Sequence, residues 1–153
     1  MRYWLMKSEP DVFSIDDLRS QKTALWDGVR NYQARNFMMN DMSVGDVVLF
    51  YHSNAEPPGV AGVARVVGGA EPDPTQFDKK SEYFEKRATL EKPVWYGVRV
   101  GFVEKFPRLV PLDEWRGEKV LDDMLVLRRG QRLSIQTVSE TEFHHICKLA
   151  LKA

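Results

Sequence analysis

A single cysteine, Cys147, stands among the 153 residues, and one thiol rules out an internal disulfide framework. Long apolar runs are missing too. The longest stretches, such as Val47–Tyr51 and Val60–Ala64, fall far short of the roughly 20 residues that cross a bilayer. The first residues meet charge early and lack the apolar core of a signal peptide. A cytoplasmic protein without membrane attachment is the expectation. Net charge is absent as well, since 22 Lys+Arg balance 22 Asp+Glu. Proteins that grip long duplexes through many phosphates tend to be basic, so any nucleic-acid contact made by this chain has to be local. Metal ligands are scarce, with three histidines in all. His144 and Cys147 are spaced to share one helix face, yet two ligands from one turn do not make a zinc site. No glycine-rich phosphate loop occurs. His52 and Ser53 are adjacent on a strand and so point to opposite faces, which prevents them from pairing as base and nucleophile. Neither a cofactor nor a catalytic set is expected.

What the chain does have is concentrated in Trp26–Asn36, reading Trp-Asp-Gly-Val-Arg-Asn-Tyr-Gln-Ala-Arg-Asn. Two aromatics, two arginines, two asparagines, a glutamine and an aspartate carry many groups that need hydrogen-bond partners if buried. Flat rings beside forked donors and amides suit a planar, hydrogen-bonding ligand such as a nucleobase. The plainer reading of Trp26 is a core aromatic beside a helix. Arg128, Arg129 and Arg132 form a second basic cluster, with Asp122 and Asp123 close enough in sequence to balance it.

Length fits one domain over residues 1–153. Tyr3–Lys7 reads as a first strand. Ser14-Ile15-Asp16-Asp17 opens a capped helix, and a second helix is expected from Asn31 through Ala34, Phe37, Met38 and Met42. Strands are predicted at Val47–His52, at Val60–Val67 (ended by Gly68-Gly69) and at Val94–Phe106. Gly97 and Gly101 on one face of the last imply a bend or a close backbone approach. Residues 70–92 read as a long loop with a helical turn, and Pro111–Arg116 as a short helix. Arg132–Val138 is a final strand, and the Ser139–Glu142 capping box starts the last helix. Strands interrupted by helices without regular alternation point to an α+β fold with a small mixed β-barrel.

Trp4–Pro10, Trp26–Asn36, Gly45-Asp46, Phe50–Ser53, Pro58–Gly62, Asp73–Phe77, Pro93–Tyr96 and Arg132–Gln136 together resemble the EVE domain family of the PUA-like superfamily. That resemblance spans nearly the whole chain. It implies a PUA-like barrel ringed by short helices, related to the YTH readers of methylated adenine, with a pocket for a modified base flipped out of RNA or DNA. Carried onto this sequence, the pocket is expected from Trp26, Asn31, Tyr32 and Arg35, the Lys7-Ser8-Glu9 strand end and Tyr51-His52-Ser53. Ser134 and Gln136 would approach from the last strand, and Arg30 and Arg129 would hold phosphates. The expected function is a non-enzymatic reader of a modified base. The alternatives are a nucleoside-binding domain and a hydrolase on modified nucleobases that uses Lys7 or Glu9.

Overall fold

The computed structural model describes residues 1–128 and 130–152. Arg129, expected at a phosphate, lies outside the described residues. Six strands form one sheet: β1 Tyr3–Ser8, β2 Thr23–Leu25, β3 Val47–His52, β4 Gly59–Pro72, β5 Tyr96–Pro111 and β6 Ile135–Val138. Their order is β2-β5-β4-β3-β1-β6. The β1–β3 pair is parallel, while β1–β6, β2–β5, β3–β4 and β4–β5 are antiparallel.

The expected barrel is corrected to an open sheet, because β2 and β6 stand at opposite edges and do not pair. These edge strands have three and four residues, too short to offer each other a closing ladder, and helices cover the sheet instead. Alternation along β1 and β3 buries both faces. Trp4, Met6, Val48 and Phe50 face a core shared with Ile15 and Leu18 of α1 (Ile15–Gln21) and Ala34 of α2 (Tyr32–Asn36). Leu5, Leu49 and Tyr51 face a second core with Trp115 of α3 (Leu112–Trp115) and Ile146 and Leu149 of α4 (Glu140–Ala150).

Both predicted capping boxes are present, at Ser14/Asp17 and Ser139/Glu142. The helix opened by Asn31 is shorter than its apolar spacing suggests. After Asn36 it widens into a π turn, Phe37–Asp41, which ends with the Met42 N–H on the Phe37 carbonyl at 2.9 Å. Gly68-Gly69 does not end β4. Register shifts around Gly68 absorb the glycines, and pairing resumes at Glu71. Gly97 does mark a close approach: a Cβ there would collide with the Trp26 carbonyl, and the Trp26 N–H donates to Val98 O at 2.8 Å. That contact joins the Trp26 loop to β5.

Candidate nucleic-acid interface

Because β1 and β3 are parallel and in register, Ser8 and His52 end side by side, as do Lys7 and Tyr51. Strand alternation then divides them. Ser8 and His52 lie on the α1 side, where Ser8 Oγ donates to Phe13 O at 2.6 Å and His52 Nε2 accepts the Ile15 N–H at 3.1 Å. An accepting Nε2 requires a neutral imidazole with its proton on Nδ1. Burial lowers the His52 pKa, outweighing the nearby Asp16 carboxylate. Ser53 continues from the strand and donates its N–H to Ser8 O at 3.0 Å. On the opposite side the Lys7 ammonium lies 5.9 Å from the centroid of the Tyr51 ring. Beyond β1, Glu9 accepts from Asn54 Nδ2 at 3.0 Å. Beside that contact is an open cleft of about 600 Å³ lined by Pro10, Asp11, Asn54, Ala55, Glu56 and Pro58.

Trp26 is 7% exposed and meets Phe50 edge to face, with ring centroids 5.4 Å apart. It walls the α1-side core, which also holds Ser8's neighbour Phe13. Gly28 follows with a φ of 76°, a left-handed conformation that suits glycine. Its missing side chain leaves room for the Tyr83 ring. Asp27 sits at this turn with its pKa raised, first by burial and then by the Asp73 carboxylate. The Tyr83 hydroxyl is also pushed up, first by burial, then by Glu82 and by the carboxylates of Asp27 and Glu9. The carboxylates of Asp27 and Glu9 thus both act electrostatically on the Tyr83 hydroxyl.

Outside this turn, Arg30, Tyr32 and Arg35 bond to the loop 73–95. Asp73 is fully buried; it accepts from Gly28 N at 2.7 Å and pairs with Arg30 Nη1 at 3.0 Å. Burial alone would raise its pKa, but hydrogen bonds from Thr75, Gly28 and Arg30 outweigh that and hold it low. Arg30 also donates to Tyr83 O and Thr75 Oγ1, and lies over the Tyr83 and Trp95 rings. Buried Gln76 clamps the loop, donating to Asp73 O and Trp95 O and accepting from the Val94 and Trp95 N–H groups. Tyr32, 47% exposed, stacks on Trp95 at 4.8 Å, with the Arg35 guanidinium 4.8 Å from its centroid. Arg35 is fixed to Val94 O at 3.0 Å, and Arg87 donates to the Tyr32 hydroxyl at 2.9 Å.

The thirteen expected site residues among the described ones thus fall into distinct places. Ser8, Glu9, His52 and Ser53 gather at one strand end, with Trp26 as the wall behind Phe50. Tyr32 and Arg35 form an outer platform, and Asn31 beside them uses its side-chain oxygen to cap α2 through Ala34 N at 2.9 Å. Lys7 and Tyr51 are on the other face of the sheet. Ser134 meets Lys7 through its backbone, its carbonyl accepting the Lys7 N–H at 2.8 Å. Arg30 is engaged inside the loop by Asp73, Thr75 and Tyr83. Gln136 is 2% exposed and donates to Leu133 O at 2.8 Å, a bond that ties down the entry to β6. Asp27, Asp73, Gln76 and Tyr83 were not among the expected residues. The Asp73-Pro74-Thr75-Gln76 run carried a signal: aspartate before proline is a capping pattern, and Asp73 does cap the 3₁₀ turn through Thr75 N. Elsewhere, burial and the Glu104 carboxylate push the Cys147 thiol up to about 11, which makes it a poor nucleophile. Among the described residues no helix is long and apolar enough to cross a membrane, and no cluster of His, Cys, Asp and Glu is placed to hold a metal.

The fold recurs in known proteins. The human protein "Thymocyte nuclear protein 1" is 40% identical over 169 residues, covering 98% of this chain and 74% of that protein. A Pseudomonas syringae protein of known structure superposes with a TM-score of 0.93 at 44% identity, over 97% of this chain and 99% of its own. Human THYN1 protein, solved in complex with 5-methylcytosine containing DNA, superposes with a TM-score of 0.91 at 41% identity, over 100% and 99% of the two chains. The EVE domain profile matches residues 2–149, and the chain belongs to the EVE domain family.

Proposed function

We propose that this domain binds DNA carrying a methylated cytosine and reads the modified base one nucleotide at a time, without chemistry on it. The observation that carries this reading is the human THYN1 complex with 5-methylcytosine containing DNA, a relative matched along the full length of this chain. In our reading the base leaves its stack and enters between the Trp26 loop and the ends of β1 and β3. Flipping costs a few kcal/mol. The acceptor-rich rim of Asp27 and Glu9 suits the exocyclic amine of cytosine, since carboxylates accept from that group. Trp26 supplies an apolar wall for a methyl group, and Tyr32, with Arg35 beside it, supplies an accessible ring for a neighbouring base. Stacking of that kind returns about 1–3 kcal/mol per base.

Fluorescence anisotropy with strands of identical sequence, carrying cytosine or 5-methylcytosine at one position, tests the proposal at a fixed salt concentration. Tighter binding of the methylated strand is the expected result. Equal affinities would overturn it, and so would binding of the free methylated nucleoside as tight as that of the strand.

A further inference from the structure

Four lysine or arginine side chains are partly buried among the described residues: Lys7, Arg30, Arg35 and Arg108. Arg30 pairs with Asp73, Arg108 makes a two-pronged pair with Glu114, and Arg35 donates to Val94 O and Asn36 Oδ1. Lys7 alone among them has no carboxylate or carbonyl at hydrogen-bond distance of its ammonium among the described residues, only the Tyr51 ring. A desolvated ammonium without a counter-charge is costly, and burial does lower the Lys7 pKa. Its register neighbour Tyr51 is 3% exposed, and its hydroxyl, which is not among the buried unpaired atoms, makes no hydrogen bond to the described residues. Burial pushes the pKa of that hydroxyl up to about 12, so it stays a neutral donor. The indole N–H of fully buried Trp115, whose ring meets Tyr51 edge on at 6.2 Å, is also without an acceptor. One face of this strand end therefore carries donors that lack acceptors among the described residues.

We propose that Lys7 Nζ and Tyr51 Oη form an anion subsite that takes a phosphate oxygen of the bound strand, on the sheet face opposite Trp26. The assignment rests on the methylated-DNA reading for the identity of the strand, but its physical basis is independent of the base. A backbone phosphate reaching this face lets the strand straddle the sheet end, with the base on one side and its flanking phosphate on the other. It moves Lys7 and Tyr51 from reading the base to positioning the backbone, which carries no sequence information itself.

The test compares wild type, Lys7→Met, Lys7→Arg and Tyr51→Phe against methylated and plain strands from 50 to 300 mM salt. A lysine that neutralises one phosphate accounts for about one unit of the log–log salt slope. Lys7→Met is expected to flatten that slope by about 1, to weaken both strands alike and to leave their affinity ratio unchanged. Lys7→Arg should keep the slope. Thermal stability of Lys7→Met should equal or exceed that of wild type, because a cation without a partner has been removed. An unchanged slope, or a change confined to the methylated-to-plain ratio, overturns the subsite. Equal affinity of wild type for the two strands defeats the methylation reading alone, since the slope is read on either strand. Should wild type bind neither strand, inorganic phosphate decides: protection against thermal unfolding in wild type but not in Lys7→Met supports an anion site, and no protection overturns it.

Discussion

Two parts of this molecule are rich in aromatic and polar side chains, and they differ in what those groups are doing. In Trp26–Asn36 both arginines and both asparagines are satisfied from within. Arg30 bonds to Asp73, Thr75 and Tyr83, Arg35 to Val94 and Asn36, and Asn31 to Ala34. At the Lys7–Tyr51 strand end an ammonium and a hydroxyl have no such partners among the described residues. A polar, aromatic segment in a sequence therefore signals two things that composition cannot separate: a surface built for a ligand, and a surface built to hold another loop. Here the segment is largely the second, and by holding the 73–95 loop it shapes the first.

The largest effects expected on this view come from breaking the satisfied region. Trp26→Ala empties a buried indole site and should cost about 3–5 kcal/mol of stability, measured by urea unfolding, so it cannot serve as a fold-neutral test of binding. Trp26→Phe is the variant to use. Arg30→Ala leaves the Asp73 carboxylate buried without its cation, and breaking such a pair costs about 3–5 kcal/mol. Retained stability in Arg30→Ala would mean that the 26–36 segment does not depend on the 73–95 loop. Tyr32→Ala acts at the exposed platform instead. It should weaken strand binding by about 1–3 kcal/mol, the value of one stacked base, with little change in unfolding midpoint; an unchanged affinity would remove Tyr32 from the interface.

The smallest effect is a pH dependence. His52 has a lowered folded pKa, so the unfolded chain binds its proton first as pH falls. The stability tied to the neutral imidazole is thus complete above the unfolded value of about 6.5 and is lost as pH drops toward the folded value. Replacing His52 with Ala removes the acceptor that caps Ile15 N, a change of about 0.5–2 kcal/mol by analogy with other helix caps, and should flatten the stability profile in that window. Asp73, held low, acts in a more acidic range: its contribution is full above about pH 4 and disappears as pH falls through its depressed value.

Much of the fold was legible because its signals are local. The Ser14 and Ser139 capping boxes, the Val47–His52 strand and the glycine at Gly97 each depend on neighbours or on one backbone contact. The open sheet was not, since whether β2 meets β6 depends on edge lengths and on what the helices cover. The expected site residues do not share one face of the sheet. A parallel β1–β3 pair in register puts Lys7 with Tyr51 and Ser8 with His52 on opposite sides, and pairing of this kind is long-range. Arg30 looks like a surface donor in sequence, while Asp73, which occupies it, lies 43 residues away along the chain.

A double-mutant cycle on Trp26→Phe and Lys7→Met, read by affinity for methylated and plain strands across salt concentrations, tests the division between the two faces most directly. The account predicts that Trp26→Phe changes the methylated-to-plain ratio, that Lys7→Met changes only the salt slope, and that the two combine additively within about 0.5 kcal/mol. A Lys7→Met variant that shifts the ratio, or strong coupling between the two substitutions, would contradict it.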